Sequence, residues 1–234
     1  MSTLSLSQSQ IIATQQYLTA LNRLDSSIPQ HNPLIKHLKP FATYKRQTID
    51  CRLQYVNAEH LSDADRNTIF NITKHNMYEL YNQCSDRKLW HWNDKRKKKQ
   101  LFSDKSKYLV LYNNINNDLV GFIHIQYDSD ECDHTIPMIY LYEIQIQSNY
   151  NHQGIGTYLM NVLELLMHKL NLNKICLTVL KHNTSAVAFY TKLNYTVDES
   201  DPSTDHTSHT LEYQILSKIN SRFTLPVTHK SNYI

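Results

Sequence analysis

Glycine is scarce in this chain, with three residues in 234, where average usage of about 7% would give roughly sixteen. Two of the three lie together in the segment Asn151-His152-Gln153-Gly154-Ile155-Gly156. A chain this sparing with glycine is expected to keep it where a side chain would not fit. The glycine pair is therefore the first candidate for a special backbone position.

Other absences exclude whole classes of protein. No apolar run approaches the 18 or so residues that a membrane span needs, and the N-terminus lacks the charged-then-apolar pattern of a secretory signal. The four cysteines show no CxxC spacing and are interpreted as reduced thiols. Among thirteen histidines there is no His-Glu-x-x-His, and Cys132-Asp133-His134 has too few partners for zinc. We expect an intracellular protein, a monomer, with no bound metal.

Composition indicates a globular domain, since 41% of the residues are hydrophobic and 19% are charged. The net charge of +3 is too mild to indicate nucleic-acid binding by itself, so neither a nucleic acid nor a membrane is an expected partner. Residues 1–46 read as a polar extension containing a helix near 8–24, 47–220 as the main domain and 221–234 as a loose tail.

Hydrophobic periodicity predicts the order of the main elements. Ser62 and Asp65 have the spacing of a helix-capping pair, so a long helix is expected to start there. Strands are predicted at 48–56, 107–112, 119–127, 138–147, 174–180 and 211–216, and further helices at 157–170 and 185–193. The pair 107–112 and 119–127 reads as a hairpin. This order predicts an α/β fold, with a mixed sheet and helices on its faces.

The glycine pair lies between a predicted strand and a predicted helix. Strand, glycine turn and helix N-terminus is the geometry that presents backbone amides to a phosphate. A plain tight turn that needs glycine for its backbone angles explains the same residues. From this segment alone both interpretations stay open.

Two motifs together resemble the GCN5-related N-acetyltransferase (GNAT) superfamily. That family has a turn reading Arg/Gln-x-x-Gly-x-Gly/Ala, then a helix, a strand and Asn-x-x-Ala-x-x-Phe-Tyr. This chain has Gly154-Ile155-Gly156 and, at fitting distance, Asn183-Thr184-Ser185-Ala186-Val187-Ala188-Phe189-Tyr190. It departs from the pattern at Asn151, where the family has Arg or Gln. The resemblance implies a mostly antiparallel twisted sheet flanked by helices, and acetyl-CoA as co-substrate.

Within the superfamily, residues from about 74 to 218 are most similar to N-alpha-acetyltransferase D. The likeness includes Trp90 and Trp92 before Asp94, and the run Tyr140-Leu141-Tyr142-Glu143-Ile144-Gln145. Enzymes of that type acetylate the α-amine of core histones that begin Ser-Gly-Arg-Gly. The resemblance thus implies a protein N-terminus as substrate, histone tails as partners, and a location in nucleus and cytoplasm.

The resemblance also implies which residues hold the cofactor. Backbone amides of the turn would wrap the pyrophosphate, and strand backbone would pair with the pantetheine arm. The implied cofactor residues are Ile144, Gln145, Ile146, His152, Gln153, Gly154, Ile155, Gly156, Thr157 and Asn183.

Glu143 is the predicted general base, acting directly or through a water, with Tyr142 as the reserve candidate. Strand alternation places Glu143 on one face with Leu141 and Gln145, and a solvated edge-strand glutamate is the alternative. Tyr190 occupies the family's usual general-acid place, with a core tyrosine as the alternative.

Peptide contacts are implied at an acidic loop and at a set of polar and aromatic residues. Asp128 and Asp130, with Ser129 between them, would bind the arginine of a histone tail; a solvated loop is the alternative. The remaining implied contacts are Tyr81, Trp90, Tyr140, Tyr142, Thr178 and Tyr213.

The run Lys95-Arg96-Lys97-Lys98-Lys99 reads either as an import signal or as the solvated face of a charged helix. Two other functions also fit the sequence. One is acetylation of a lysine or of a small-molecule amine. The other is a non-catalytic module that binds CoA or histones.

Overall fold

The computed structural model describes residues 8–23, 38–130, 135–202 and 211–225. Eight strands form one sheet in the order β1-β2-β3-β4-β5-β6-β8-β7. They are β1 (Thr43–Arg46), β2 (Ile49–Asn57), β3 (Lys107–Asn113), β4 (Leu119–Ser129), β5 (Pro137–Ile146), β6 (Lys174–Leu180), β7 (Thr196–Val197) and β8 (Tyr213–Ile219). Neighbouring strands are antiparallel except for β5 and β6. The predicted mixed sheet is confirmed.

Six α-helices lie among the described residues. They are α1 (Gln8–Arg23), α2 (Asp63–Asn82), α3 (Arg87–Trp90), α4 (Asp94–Leu101), α5 (Ile155–Lys169) and α6 (Thr184–Lys192). The α1 helix matches the helix predicted near 8–24. Ser62 caps α2 as its spacing predicted, because its Oγ accepts a hydrogen bond from the Asp65 amide at 3.1 Å.

Two hydrophobic cores lie on opposite faces of the sheet. The α5-side core joins the inner stripe of α5 to β3, β4 and β5, and includes Leu109, Ile123, Leu141, Leu159 and Leu163. The α2-side core packs α2 and α4 against the other face, and includes Ile69, Leu101, Tyr108, Val110 and Phe122. Alternate residues of β3 therefore serve different cores, as the period of a strand requires.

The buried Lys174, the first residue of β6, links two segments that are distant from it in the sequence. The Lys174 ammonium forms ion pairs with Asp130, at the end of β4, and with Asp198, which follows β7. All three side chains are at most 3% exposed. A buried charge is tolerated only when it is paired and hydrogen-bonded, so these residues form one structural unit.

An Asp198→Asn variant is expected to be less stable than the wild type at neutral pH, by a difference that shrinks in acid. Burial alone would raise the pKa of Asp198, but hydrogen bonds from Lys174 and Ser200 outweigh it and lower the pKa to about 2. An unfolded aspartate has a pKa of about 3.9. The charged form therefore stabilises the fold above about pH 4, and this contribution is lost as the pH falls towards 2. Urea unfolding at pH 7, 4 and 3 checks it; a stability difference that does not shrink in acid would contradict it.

Candidate active site

The β5 and β6 strands part in the middle of the sheet. Their parallel pairing covers only Ile139 to Leu141 of β5 and Ile175 to Leu177 of β6. Beyond these residues the strands separate, and a cavity of about 430 Å³ opens between them. It is lined by Tyr142, Glu143, Ile144, Gln145 and Ile146 of β5, by Thr178, Val179 and Leu180 of β6, and by residues of α2, α5 and α6.

A β-bulge in β5 marks the point of separation. His124 of β4 is paired with Glu143, and the next residue of β4, Ile125, is paired with Leu141, so Tyr142 is the extra residue. An extra residue bends its strand and shifts the alternation of side chains that follow. The bulge therefore sets the direction of each β5 side chain in the cavity.

The bulge corrects one sequence prediction. Leu141 lies in the α5-side core, and Ile144 and Ile146 pack against the same core. Glu143 instead contacts Lys97 of α4, on the opposite face. The prediction that Glu143 shares a face with Leu141 is wrong, because strict alternation fails across an inserted residue.

Glu143 is buried and held by donors on both carboxylate oxygens. Its side chain is 5% exposed, so the alternative of a solvated edge-strand glutamate is wrong. Oε1 accepts from Lys97 Nζ at 3.0 Å, and Oε2 accepts from Gln145 Nε2 at 2.8 Å. Asn76 Nδ2 donates in turn to Gln145 Oε1 at 2.9 Å. Glu143 thus ends a hydrogen-bonded chain from α2 and α4 into the cavity.

The rings of Tyr108, His124 and Tyr142, on the neighbouring strands β3, β4 and β5, stack in a row. His124 lies between Tyr108 and Tyr142, with ring centroids 5.0 and 5.1 Å away. Burial, and to a lesser degree the nearby Lys97 ammonium, lowers the pKa of His124 to about 3. His124 is therefore neutral at physiological pH, and its Nε2 is engaged with Ser106 Oγ.

The two neighbouring glycines serve different needs. Gly154 is the N-cap of α5 and has a φ of +83°, a backbone conformation that residues with a side chain rarely adopt. This is the tight-turn requirement. Gly156 instead lines the cavity, where a Cβ would lie 3.3 Å from the Phe189 ring. Its missing side chain keeps open the space between α5 and α6.

The remaining residues of the predicted turn have different surroundings: Gln153 contacts β1, whereas His152 and Thr157 are exposed. Tyr44 Oη donates to the Gln153 carbonyl at 2.5 Å, and Ile155 is buried in the α5-side core. Asn151, which departs from the family pattern, lines the cavity with Gly156. No sequence pattern indicates the β1 contact, since Tyr44 lies 109 residues before Gln153.

The second motif forms the start of α6 and the far wall of the cavity. Asn183 caps α6, its Oδ1 accepting from the Ala186 amide at 3.2 Å, and it lines the cavity with Tyr190. Tyr190 is 7% exposed and belongs to the α5-side core. Burial, and next the charge of Glu143, raises the pKa of Tyr190 above its usual range, which keeps the hydroxyl protonated. Tyr190 is therefore both a core residue and part of the cavity wall.

Aromatic residues from three segments meet at one end of the cavity. The Trp90 ring at the end of α3 lies 5.7 Å from the Tyr81 ring and 5.5 Å from the Tyr213 ring, centroid to centroid. We call Tyr81, Trp90 and Tyr213 the aromatic mouth. Tyr81 and Trp90 line the cavity, as does Thr178, whose Oγ1 bonds the Tyr140 hydroxyl at 2.6 Å. Of the predicted peptide contacts, Tyr81, Trp90, Tyr142 and Thr178 line the cavity, while Tyr213 contacts Trp90 and Tyr140 is hydrogen-bonded to Thr178.

The predicted acidic loop is divided by the fold. Asp128 is exposed, and its Oδ1 accepts from the Ser129 amide. Asp130 is 1% exposed and paired with Lys174. The prediction that Asp130 binds a substrate arginine is corrected, because its carboxylate is already engaged inside the protein. Residues 131–134 of the loop lie outside the described residues.

Three other features of the described segments bear on the kinds of site that they could hold. In them, no group of three His, Cys, Asp or Glu side chains is placed to hold a metal ion. No helix in these segments combines the length and apolar character of a membrane span. Cys51, Cys84 and Cys176 are free and buried, while Cys132 lies outside the described residues.

The family model of the acetyltransferase (GNAT) family matches residues 67–195, which is more than half of the chain. The chain therefore belongs to this family and is by family an acyltransferase.

Solved structures share the fold at low sequence identity. The PaiA N-acetyltransferase of Thermoplasma acidophilum in complex with coenzyme A is 16% identical, with a TM-score of 0.51 over 73% of this chain and 99% of that one. A GNAT-family acetyltransferase of Listeria monocytogenes is 11% identical, with a TM-score of 0.53 over 76% and 99%. Arabidopsis thaliana NAA60 in complex with a bisubstrate analogue is 11% identical, with a TM-score of 0.50 over 71% and 97%.

Proposed function

We propose that this protein transfers an acetyl group from acetyl-CoA to the α-amine at the N-terminus of a protein, with histones that begin Ser-Gly-Arg-Gly as the favoured substrates. The observation that carries the proposal is the parting of β5 from β6 beside a buried carboxylate. The parting leaves a free strand edge for a cofactor arm, and the carboxylate gives the adjoining cavity a group that can accept a proton.

The free edge of β5 suits the pantetheine arm of acetyl-CoA. Residues 143–146 have β4 on one side but no β6 pairing on the other, so the amides of the arm would complete the sheet as an added strand. The amides of residues 152–157 lie at the N-terminal end of α5, where the helix dipole favours a pyrophosphate. The coenzyme A held by the PaiA structure fits this proposal.

A weak general base is sufficient when the substrate is an α-amine. Such an amine has a pKa of about 7.7–8.0, against about 10.4 for lysine, so a useful fraction is neutral at physiological pH. Glu143 has two oxygens with about four lone-pair sites, and Lys97 and Gln145 occupy one on each oxygen. A water bound at a remaining site would relay the amine proton to Glu143.

Transfer then proceeds through a tetrahedral intermediate. The amine nitrogen bonds to the thioester carbon, and a backbone amide of residues 144–146 stabilises the oxyanion. When the intermediate collapses the carbon–sulfur bond breaks, and the CoA thiolate takes a proton from the Tyr190 hydroxyl. The amide product and free CoA leave, and Tyr190 recovers its proton through solvent.

The aromatic mouth would admit the peptide. The rings of Tyr81, Trp90 and Tyr213 pack together at one end of the cavity, where they would contact an extended chain end. The bisubstrate analogue in the NAA60 structure motivates the choice of a peptide substrate. Asp128, the exposed member of the acidic pair, would bind the arginine at the third position of the peptide.

A peptide panel with acetyl-CoA tests the proposal. One peptide begins Ser-Gly-Arg-Gly, one begins with Met, and one has a blocked N-terminus and an internal lysine. We expect the first to be acetylated fastest and the blocked peptide least. Fastest acetylation of the lysine peptide would overturn the N-terminal assignment, and no acetylation of any peptide or small amine would overturn the enzymatic one.

An Asp128→Ala variant is expected to raise KM for a Ser-Gly-Arg-Gly peptide but not for Ser-Gly-Ala-Gly. A hydrogen bond to a charged group contributes about 1.5–3 kcal/mol where it is shielded, and the bound peptide would supply that shielding. A double-mutant cycle in kcat/KM measures the coupling between enzyme and peptide. Asp118→Ala, at the opposite end of β4, is the matched control. A coupling energy near zero would remove Asp128 from the peptide site.

A further inference from the structure

Lys97 is the one member of the basic run 95–99 that is turned into the protein. Lys95, Arg96, Lys98 and Lys99 are exposed on α4, as the solvated-face interpretation predicts. The Lys97 side chain is only 9% exposed. The sequence does not distinguish it from its neighbours, because all five residues carry the same charge.

Every donor of the Lys97 ammonium has an acceptor. Nζ donates to Glu143 Oε1 at 3.0 Å, to the Tyr81 hydroxyl at 3.1 Å and to Gln100 Oε1 at 2.7 Å. It also lies 4.8 Å from the centroid of the Tyr81 ring. An ammonium has three donors, so Lys97 is fully satisfied and links Glu143 to the aromatic mouth.

A lysine on a surface helix does not need this arrangement for stability. Its long stem would allow the ammonium to reach water, and a buried ion pair often contributes no more stability than apolar residues of similar volume. The pair therefore indicates a requirement for a fixed charge next to Glu143.

Resting on the proposed function, we propose that Lys97 is a positioning residue for acetyl transfer. Its ammonium holds Glu143 as an ionised, oriented carboxylate, so that the relay water always meets a proton acceptor. The pH dependence of transfer then reports the substrate amine and not the enzyme's base.

The other titratable groups around Glu143 are neutral at physiological pH. Tyr81 of α2, Tyr108 of β3 and Tyr190 of α6 face it, and burial raises the pKa of all three. His124 of β4 is neutral because burial, and then Lys97, lowers its pKa to about 3. Tyr142 of β5 is adjacent in the chain. Among these neighbours Lys97 carries the positive charge.

The pH profile of kcat/KM separates this role from a structural one. In the wild type, kcat/KM should fall about tenfold per pH unit below the pKa of the substrate amine, with no second fall down to pH 6. An opposite charge within about 4–6 Å favours the ionised form of a carboxyl group and lowers its pKa by about 1–3. In Lys97→Met the ratio of wild-type to variant kcat/KM should therefore be severalfold larger at pH 6 than at pH 9.

Two further variants serve as controls. Lys97→Arg keeps the charge and should keep the shape of the wild-type profile, whatever its absolute rate. Lys99→Met removes an exposed charge from the same helix and should match the wild type throughout. Parallel profiles for Lys97→Met and the wild type would overturn the proposal.

A readout independent of activity separates this inference from the proposed function. The Glu143 carboxyl carbon, followed by NMR at pH 6, should have a different chemical shift in Lys97→Met than in the wild type, because the variant lacks the ammonium that donates to Oε1. An identical chemical shift in the two proteins would overturn the role of Lys97 even in an active enzyme. Loss of the function itself would show as a wild type that transfers no acetyl group.

Folding of the variant is controlled by a second substitution. Lys97→Met leaves Glu143 as a buried charge without its partner, so its thermal unfolding midpoint should fall. Lys97→Met combined with Glu143→Gln removes both charges and should restore part of the loss. A double variant less stable than Lys97→Met would show that the two residues do not act as a pair.

Discussion

A Glu143→Gln variant is expected to lose activity by a factor of about 10²–10⁴ in kcat, the range for a positioned general base. Glutamine keeps the size of the side chain and can still accept from Lys97, but it cannot take up a proton. Acetyl-CoA affinity, measured by calorimetry, should stay near the wild-type value, because the proposed cofactor contacts are made by backbone groups of β5 and α5.

The control for this variant is Glu79→Gln, which removes an exposed carboxylate from α2 and should leave kcat unchanged. A Glu143→Gln enzyme that turns over at the wild-type rate would exclude Glu143 as the base. Tyr142, which lines the same cavity, or a water acting alone would then be the candidate.

A Gly156→Val variant is expected to lose acetyl-CoA affinity by about a hundredfold or more. The first atom of the new side chain would already lie 3.3 Å from the Phe189 ring and 3.5 Å from Ile146 Cδ1, so the branches would fill the space in which the cofactor approaches α5. If two hydrogen bonds from backbone amides of the turn to the pyrophosphate are lost, each contributing about 1.5–3 kcal/mol, the affinity for acetyl-CoA falls at least about a hundredfold.

Gly156→Ala provides the matched comparison, since a lone methyl group needs only a small shift of the flexible Phe189 ring. It should bind acetyl-CoA much more tightly than Gly156→Val does. Circular dichroism shows whether both variants are folded. A folded Gly156→Val protein with undiminished affinity would place the phosphates away from this turn.

Elements with a strong apolar period could be predicted from sequence. The stripe of Leu159, Leu163 and Leu166 gave α5 to within two residues at each end, and the two apolar runs of the hairpin gave β3 and β4. In each case burial of a regular face decides the structure, and regular burial is visible in the sequence.

Short or exposed elements could not be predicted. The β1 strand, Thr43–Arg46, has no buried residue, so it has no alternation to detect. It is held by pairing with β2 and by the contact of Tyr44 with the glycine turn. Helix α3 has four residues and owes its place to the packing of Trp90 against Tyr81 and Tyr213.

The candidate site depends on a bulge and on contacts between residues that are distant in the sequence, and no local sequence pattern indicates either. A bulge is a single inserted residue without a pattern of its own, so the direction of Glu143 was predicted wrongly. The pairing of Lys97 with Glu143 spans 46 residues, and neither residue type indicates the other. The same holds for Asp130, whose acidic neighbours suggested a surface role while Lys174 binds it inside.

Mapping the acetylated nitrogen tests the central proposal most directly. The substrate is a peptide that begins Ser-Gly-Arg-Gly and also contains a free lysine, incubated with the protein and acetyl-CoA and then sequenced by tandem mass spectrometry. The account predicts one added acetyl group, on the α-nitrogen of the first serine, and its loss when Glu143→Gln replaces the wild type. An acetyl group on the lysine side chain, or none on either nitrogen, would contradict it.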